Sequence, residues 1–592
     1  MTPSRRQSLG AAAAYGVLAV IMGLPALLAD QPSLLGHPES DVWKHAWGHW
    51  WVREQLGHGA LSTFTTLQNF PWGGTLFVID PLNAAASSLL QGVLPLYAAF
   101  NVVVLAQLAF GGWAAWRLAF AMTGDGFASA VAGVVYGFSP WMLAYSVASG
   151  VSETLGIGWI PLAAVVTLRT ASTASKRDAV LAGLCLAGAG LSSWYYLVFA
   201  VVLCVFLLVA SAFGVSDTLP PPRGSSLRAL LLAPLVAGLL LAPLAWAFIS
   251  SIQGDASLGP RDRAAFTASK EYRDGFFRVT DFVVPGKSRL RLSMVVDRLA
   301  KTPYVGWVAL LLALAGLRRD WGRARPWGAG AALFFVLSLG PAILLTDAFA
   351  TEYDVNLVYL VGRPLLGFAL STSPYRIHVL TLLCVGVLAA MGLAEATRKR
   401  PVLGLAVALL ALAETCWLSP APFPLPVSPA VVPPVYDGLA MGETEGVLDL
   451  PPIRFHTALV PGEYYYYQTR HHGGIPYLTG GVFDPRTAGN PFFLEMWRLS
   501  AGQMPPTRDL MGRGFGLRDL ARQGYRWVVL HHDSLPDAQF RYARELLTQC
   551  LGKPDATADG EALRFSLRLG NVTSATVSAP GRPPARPAEA TP

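Results

Sequence analysis

The sequence predicts a mainly α fold: a polytopic membrane bundle of about eleven helical spans, followed by a small C-terminal α/β or α+β extracytoplasmic domain. Three observations carry this. Hydrophobic residues make up 53% of the 592-residue chain and charged residues 14%, against roughly 25% charged in soluble domains. Apolar runs long enough to cross a bilayer recur as far as residue 418. Alternating strand and helix patterns appear only after the proline-rich stretch Pro420–Pro434. The formal charge of +8 comes from basic residues in short runs between apolar segments. That distribution suits membrane orientation and gives no sign of nucleic acid as a partner. Cys185, Cys204, Cys384 and Cys416 lie in or beside apolar segments, and Cys550 stands alone in the tail. They supply neither a disulfide framework nor a zinc spacing.

At the start, Arg5-Arg6 before an apolar run has the look of a twin-arginine export signal. A signal anchor fits better, because further spans follow and no small-residue cleavage site is evident. The expected spans are 12–29, 101–121, 126–146, 151–168, 179–193, 194–213, 229–250, 303–317, 326–345, 376–396 and 402–418. With these, the basic markers Arg5/Arg6, Arg117, Arg169 with Lys176/Arg177, Arg223/Arg228, Arg318–Arg325 and Arg398–Arg400 all fall on the cytoplasmic side. The protein is thus expected in the plasma (inner) membrane as a multi-pass protein. Its N-terminus is expected in the cytoplasm and the tail from Ser419 outside. Pro81–Phe100 is apolar enough to cross but contains Asn83, Gln91 and Pro95. Crossing there would invert every later marker, so this segment reads as interfacial or re-entrant.

The first external loop, 30–100, carries Glu39, Asp41, Lys44, His37, His45 and His49 among Trp43, Trp47, Trp50 and Trp51. Tryptophan favours the water–lipid boundary. Glu39 and Asp41 are two apart and would share a side on an extended chain; from Val42 the pattern suits an interfacial helix. The stretch reads either as an amphipathic connector with aromatic anchors or as a site. A second basic loop, 251–302, holds Arg261, Arg263, Lys270, Arg273, Arg278, Lys287, Arg289 and Arg291. It reads either as a cover for a donor substrate or a binder of an anionic acceptor, or as a solvated loop.

The domain plan is a membrane domain over 1–418, a stiff linker over 419–434, a soluble domain over 435–570 and a disordered tail over 571–592. Within the soluble part, Gly446–Leu450, Arg526–His531 and Ala562–Leu567 read as strands, and Leu517–Gln523 and Ala538–Cys550 as helices. Tyr464–Tyr467 reads either as a platform for a glycan or as a packed strand. The pairs His471/His472 and His531/His532 cannot chelate from an extended chain, because neighbours point to opposite faces.

Short motifs spread over most of the chain resemble the bacterial GT-C-type membrane glycosyltransferases. They are the acidic–aromatic first loop from Asp41, Asn69-Phe-Pro-Trp-Gly-Gly, Asp80-Pro-Leu-Asn, Tyr136-Gly-Phe-Ser-Pro-Trp, Trp159-Ile-Pro-Leu, Ser193-Trp-Tyr-Tyr, Ser373-Pro-Tyr-Arg376 and Gly446-Val-Leu-Asp-Leu-Pro. The resemblance implies a GT-C-type bundle and a polyprenyl-phosphate sugar donor. It also implies an envelope glycan, lipid or protein acceptor, with membrane lipids around the protein. It makes Asp41 the catalytic acid of the first loop, with Glu39 as substitute and Glu153 as a second acid; Glu153 otherwise reads as a helix-start acid. Arg376 and Arg363, with His378, are the candidates for the phosphate; Arg376 otherwise reads as an interfacial arginine. Lys44, His45, Trp194 and Tyr195 complete the substrate-binding set. A magnesium or manganese ion would fall to Asp41 with His45, although Glu39-Ser-Asp41 replaces the superfamily's aspartate–any–aspartate pair.

Competing readings are a lipid-linked glycan flippase or transporter, an oligosaccharide ligase or polymerase, and a non-catalytic assembly protein. A transporter would want polar residues inside the spans, where Gln107 and Glu414 are among the few. No phosphate-cradling loop, nucleophile elbow or metalloprotease helix motif is present. A reporter fused after Pro434 is expected to be active outside the cytoplasm; cytoplasmic activity would refute the topology.

Overall fold

The computed structural model describes residues 2–59, 62–76, 80–216, 219, 224–254, 277–285, 302–345, 355–366, 373–439, 441–442, 444–457, 459–478, 484–503, 510–558 and 562–572. Most of the basic 251–302 loop and of the tail beyond 571 therefore lies outside the described residues. The chain divides into two compact units. One comprises 1–61, 78–249 and 260–430, and the other 62–77, 250–259 and 431–592.

The larger unit is helical. Its helices are α1 Arg5–Leu27, α2 Val42–Gly57, α3 Pro81–Leu90, α4 Leu96–Thr123, α5 Gly126–Gly137, α6 Trp159–Thr173, α7 Lys176–Ser192, α8 Trp194–Ala212, α9 Gly224–Leu230, α10 Leu232–Gly254, α11 Trp307–Arg319, α12 Trp321–Ser338, α13 Leu357–Leu366, α14 His378–Lys399 and α15 Val402–Trp417. Each segment expected to cross falls on a helix. Among the described residues six helices are long and apolar enough to span a membrane, or seven if α5 and the following π-helix, bent by 49°, count as one. The remaining expected spans are shorter or carry charge, so length and composition alone do not single them out.

Helix α14 sits at the centre, with almost every side chain from His378 to Ala390 buried. By contrast α10 exposes Leu235, Leu239, Leu240 and Trp246, as a lipid-facing helix should. Glu414, on α15, accepts hydrogen bonds from Trp307 N (2.6 Å), Val308 N (3.0 Å) and the Tyr304 hydroxyl (2.6 Å). It satisfies the free amides that open α11, which gives this intrahelical acid a structural role.

Helix α3 lies in the ambiguous segment 81–100. It has 10 residues, about half of what a crossing needs, and a turn separates it from α4, which starts at Leu96. Asp80, Asn83, Ser87 and Gln91 recur at helical spacing and are all buried, while Leu89 and Val93 are more than four-fifths exposed. The helix is thus turned inside out relative to a soluble one. Its polar stripe faces protein and its apolar residues face outward.

The smaller unit holds a four-stranded mixed sheet. A short strand pair first ties the larger unit: β1 Ser33–Leu35 runs antiparallel to β2 Val427–Pro429. Part of the expected linker is therefore strand, because its extended apolar residues found an open edge to pair with. In the smaller unit β3 Gly446–Leu450, β4 Tyr525–His531, β5 Ala556–Ala558 and β6 Ala562–Ser566 take the order β3-β4-β6-β5. The β3–β4 pair is parallel and the other pairs are antiparallel. Its helices are α16 Glu463–His471, α17 Pro491–Ser500, α18 Leu510–Arg522 and α19 Asp537–Leu551. Tyr464–Tyr467 lies in α16, not in a strand, and all four rings are buried. The run is covered on every side, so neither helical nor strand period shows in its sequence. Buried rings also offer no exposed face for a glycan, and Tyr465 donates its hydroxyl to Leu478 O at 2.6 Å.

Residues 62–77 of the first loop belong to this smaller unit. Phe64–Thr65 pairs with Gly74–Thr75. Phe70 fills a socket lined by Gly446, Gly474 and Gly524, where an added Cβ would come 2.7, 2.3 and 3.0 Å from its ring. Phe70 N donates to Ile475 O (3.0 Å), and the Tyr525 hydroxyl donates to Phe70 O (2.6 Å). Phe70→Ala is expected to cost this unit about 3–5 kcal/mol, and Gly474→Ala to force the ring out. Thermal unfolding of the full chain in detergent, followed by tryptophan fluorescence, checks this; an unchanged midpoint in both variants would refute the socket.

Candidate functional site

The site forms where the start of α2, the turn before α6, the start of α3 and the start of α14 converge in the larger unit. Local features hold each piece. Asn101 on α4 donates to Ser33 O and accepts from Leu35 N, both at 2.8 Å, and so fixes β1. His37 N donates to Ala148 O at 2.7 Å. Gly150, at φ +65°, lies against the backbone of Val42, with an added Cβ only 2.4 Å from Val42 Cα. Only glycine suits that conformation and that approach together. These contacts set the turn bearing Glu153 beside the start of α2.

Between α5 and that turn runs a π-helix, Met142–Ala148. Such helices are rare and gather at functional sites. This one carries Tyr145, whose hydroxyl accepts from Arg376 Nε at 2.9 Å. Arg376 stands in the 3-10 turn Pro374–Ile377 that opens α14. Its Nη1 pairs with Glu153 Oε1 at 2.8 Å. Its guanidinium lies 4.5 Å from the ring centroid of Tyr195 and 5.6 Å from that of Tyr145. Arg376 and Glu153 are only 13% and 16% exposed, so each neutralises a charge that would be costly alone. The turn is pinned from two helices: the Tyr196 hydroxyl donates to Thr154 O (2.7 Å) and the Tyr136 hydroxyl to Ile157 O (2.9 Å).

Asp41 precedes the first turn of α2. Its carboxylate accepts from Lys44 Nζ at 2.8 Å and remains 35% exposed. Burial raises its pKa, but Lys44 by charge and hydrogen bond, and then His45 and Arg376, bring it below the usual carboxylate value. Burial likewise lowers the His45 pKa, against the opposing pull of Glu153 and Asp41. Asp41, His45, Glu153 and Arg376 are therefore near enough to act electrostatically on one another. His45 Nδ1 lies 3.1 Å from Ser152 Oγ.

Other expected residues fall elsewhere. Pro38-Glu39 forms a turn, closed by Ser40 N donating to His37 O. The extended arrangement expected to align Glu39 with Asp41 is therefore not adopted. Glu39 is half-buried, with its N–H bonded to His37 Nδ1. His378 is buried under the rings of Trp141, Phe277 and Phe282 and serves as packing. Arg363 is exposed on α13, and no interaction joins it to Glu153 or Arg376. Trp194 opens α8 half-buried, next to Tyr195. Asp80, Asn83, Gln107, Tyr145 and Ser152 joined the site without being assigned to it from sequence. Asp80-Pro-Leu-Asn stood out as a motif, whereas Tyr145 and Ser152 gave no signal.

Among the described residues no three His, Cys, Asp or Glu side chains group as a metal ion would require. Asp41 and His45 offer two donors, and each already has a protein partner. The described residues do not compose a metal-ligand set.

No family model and no curated protein matches the sequence. Solved structures do. Arabinofuranosyltransferase AftD from Mycobacteria superposes with a TM-score of 0.54 at 15% identity, covering 96% of this chain and 42% of that one. The chain has a GT-C-type fold. It spans less than half the length of AftD. Weaker likenesses are to the Archaeoglobus fulgidus oligosaccharyltransferase (TM-score 0.49, 12% identity, 89% of this chain and 70% of that one) and to ArnT from Cupriavidus metallidurans (TM-score 0.41, 13% identity, 95% and 99%).

Arg376→Ala is expected to destabilise this GT-C-type unit by about 3–5 kcal/mol, because it strands Glu153 in a buried position. Pairing Arg376→Ala with Glu153→Gln should recover part of that loss. Thermal stability of both single variants and the double variant in detergent reads this; additive losses would mean that the pair is not coupled.

Proposed function

We propose that this protein is a membrane glycosyltransferase that moves a sugar from a polyprenyl-phosphate donor to an envelope glycan, lipid or protein acceptor on the extracytoplasmic side. The observation that carries the reading is the meeting of Arg376, Glu153, Asp41, Lys44 and His45, from separate segments, at the ends of the helices of a GT-C-type bundle. The fold-level likeness to a glycosyltransferase supports it.

In the proposed step an acceptor oxygen forms a bond to the anomeric carbon of the donor sugar. The bond from that carbon to the phosphate oxygen breaks, and its electron pair leaves with the phosphate. Arg376, held by Glu153 and Tyr145, meets the growing charge on the phosphate. Tyr195, stacked on the guanidinium, keeps its plane fixed. The acceptor proton passes to Asp41. A carboxylate of lowered pKa is a weak base toward a free hydroxyl, so it takes the proton only as the new carbon–oxygen bond develops. Lys44 keeps Asp41 ionised until then. No step passes through a metal ion.

The test uses purified protein in detergent, a panel of polyprenyl-phosphate sugars and an envelope extract as acceptor. Asp41→Asn should cut transfer by about 10²–10⁴-fold with membrane level unchanged. Normal transfer by Asp41→Asn, Glu39→Gln and the double variant would overturn the assignment. The sign of the pH dependence follows from the lowered pKa. Asp41 is ionised above it, so the rate should hold through the neutral range and fall only as pH drops below the ordinary carboxylate range. A rate limb near pH 6.5 would assign a histidine instead.

A further inference from the structure

Glu153 precedes α6, and the far end of that helix belongs to a second group of polar side chains that the proposed step does not use. Trp113 and Arg117 stand one turn apart on α4, with the guanidinium 5.5 Å from the centre of the indole ring. Both donate to one atom of α1: Trp113 Nε1 reaches Ser8 Oγ at 3.2 Å, and Arg117 Nη1 reaches it at 3.4 Å. An indole N–H and a guanidinium can only donate, so these directions do not depend on any protonation state. The Ser8 oxygen thus has both lone pairs engaged and keeps its own proton for another acceptor. Arg117 is half-buried, and its Nε is buried without a partner. Arg169, near the end of α6, is close enough to act electrostatically on Arg117.

Among the described residues no carboxylate pairs with Arg117. Of the acids at these helix ends, Asp178 accepts from Arg169 at 3.0 Å, and Asp125 caps α5 and accepts the Thr397 hydroxyl. Arg5 and Arg6 are exposed on the first turn of α1, which also bears Ser8, and Lys176 and Arg177 are exposed on the first turn of α7, which also bears Asp178. Helix α1 packs on α4, α4 on α6 and α6 on α7, so the basic residues of four helices gather at one end of the bundle. Ser8 lies three residues into α1, roughly 5 Å from its start. That is the depth of lipid headgroups, where tryptophan is also favoured. A half-buried arginine at that depth needs an acceptor for its remaining N–H groups.

We propose that Ser8, Trp113 and Arg117 form a binding site for the phosphodiester of an anionic phospholipid, with Arg169 and the Arg5-Arg6 pair at its rim. A phosphodiester offers two charged oxygens, which suit the open edge of the guanidinium and the Ser8 hydroxyl together. An anionic headgroup answers a patch whose acids are already engaged, whereas a zwitterionic one brings its own cation into a positive field. The acyl chains have an apolar surface to follow: Leu9, Val17, Val20 and Leu24 are all exposed along α1. Arg5-Arg6 then has a role beyond orienting the first span. None of this depends on the transferase reading.

The experiment is native mass spectrometry of the full-length protein released from detergent, with phosphatidylglycerol or phosphatidylcholine added at matched concentration. The wild type is expected to retain phosphatidylglycerol about tenfold better or more. Arg117→Gln should lower that retention by about 10–100-fold. Arg544→Gln, which removes an exposed charge from the smaller unit, should leave it unchanged. The double variant Arg5→Gln/Arg6→Gln alters only exposed side chains, so it remains informative if Arg117→Gln misfolds; it should lower retention by about fivefold per charge. Equal retention of the two lipids by the wild type, undiminished phosphatidylglycerol binding in either folded variant, or an equal loss in Arg544→Gln would overturn the proposal. Thermal unfolding in detergent with inorganic phosphate in place of lipid separates the two sources of the same chemistry. Protection by phosphatidylglycerol alone supports the lipid site, and equal protection by phosphate would overturn it in favour of an aqueous anion.

Discussion

The arrangement of the larger unit depends on the ion pair between Arg376 and Glu153. Two charges this far from water are tolerable only together and only with their remaining hydrogen-bonding capacity engaged. The surrounding structure meets that demand. A π-helix turns Tyr145 toward the guanidinium, Tyr195 stacks on it, and hydroxyls from Tyr136 and Tyr196 lock the turn that bears Glu153. The pair also joins the start of the most buried helix, α14, to the irregular segment between α5 and α6. A cation held in this way has its rotamer fixed before any anion arrives, and binding need not order it.

Polar chemistry is concentrated where helices begin and regular backbone stops. Asp41 precedes α2, Asp80 caps α3, Glu153 lies in a 3-10 turn and Arg376 in another. In an apolar environment irregular backbone is tolerated only where it is buried in protein or lines a cavity. Glycine at 150 and the bend after α5 provide the close approaches such a place requires. Glu414 obeys the same rule away from the site, supplying acceptors to the free amides at the start of α11. Its structural role removes it as a mark of a translocation path.

In the smaller unit, three glycines that look like ordinary turn residues are the walls of one socket. Phe70, from the first loop, occupies it, so a stretch that reads as part of the membrane domain is instead core of the tail's unit. The motif Asn69-Phe-Pro-Trp-Gly-Gly thereby acquires a packing role independent of catalysis.

The sequence by itself determined the class. Its charge-poor composition, apolar runs and basic markers located the helices, because desolvation of twenty apolar residues is a local property. It also picked out Asp41, Lys44, His45, Glu153 and Arg376, since charges beside apolar segments are conspicuous. It determined the strands at 446–450, 526–531 and 562–567 to within a residue, where β-branched and apolar runs stand between turns. The tertiary structure alone decided which of these residues meet. Arg376 and Glu153 are more than two hundred positions apart, and nothing local distinguishes Arg376 from the exposed Arg363. It decided that Tyr464–Tyr467 is helix, because burial on all faces erases the period that separates helix from strand. It decided that Glu39 turns away from an extended path and that His378 is packing. It also brought Asp80, Ser152 and Tyr145 to the site, because a hydroxyl or a capping carboxylate acquires a role only from the groups that fold against it.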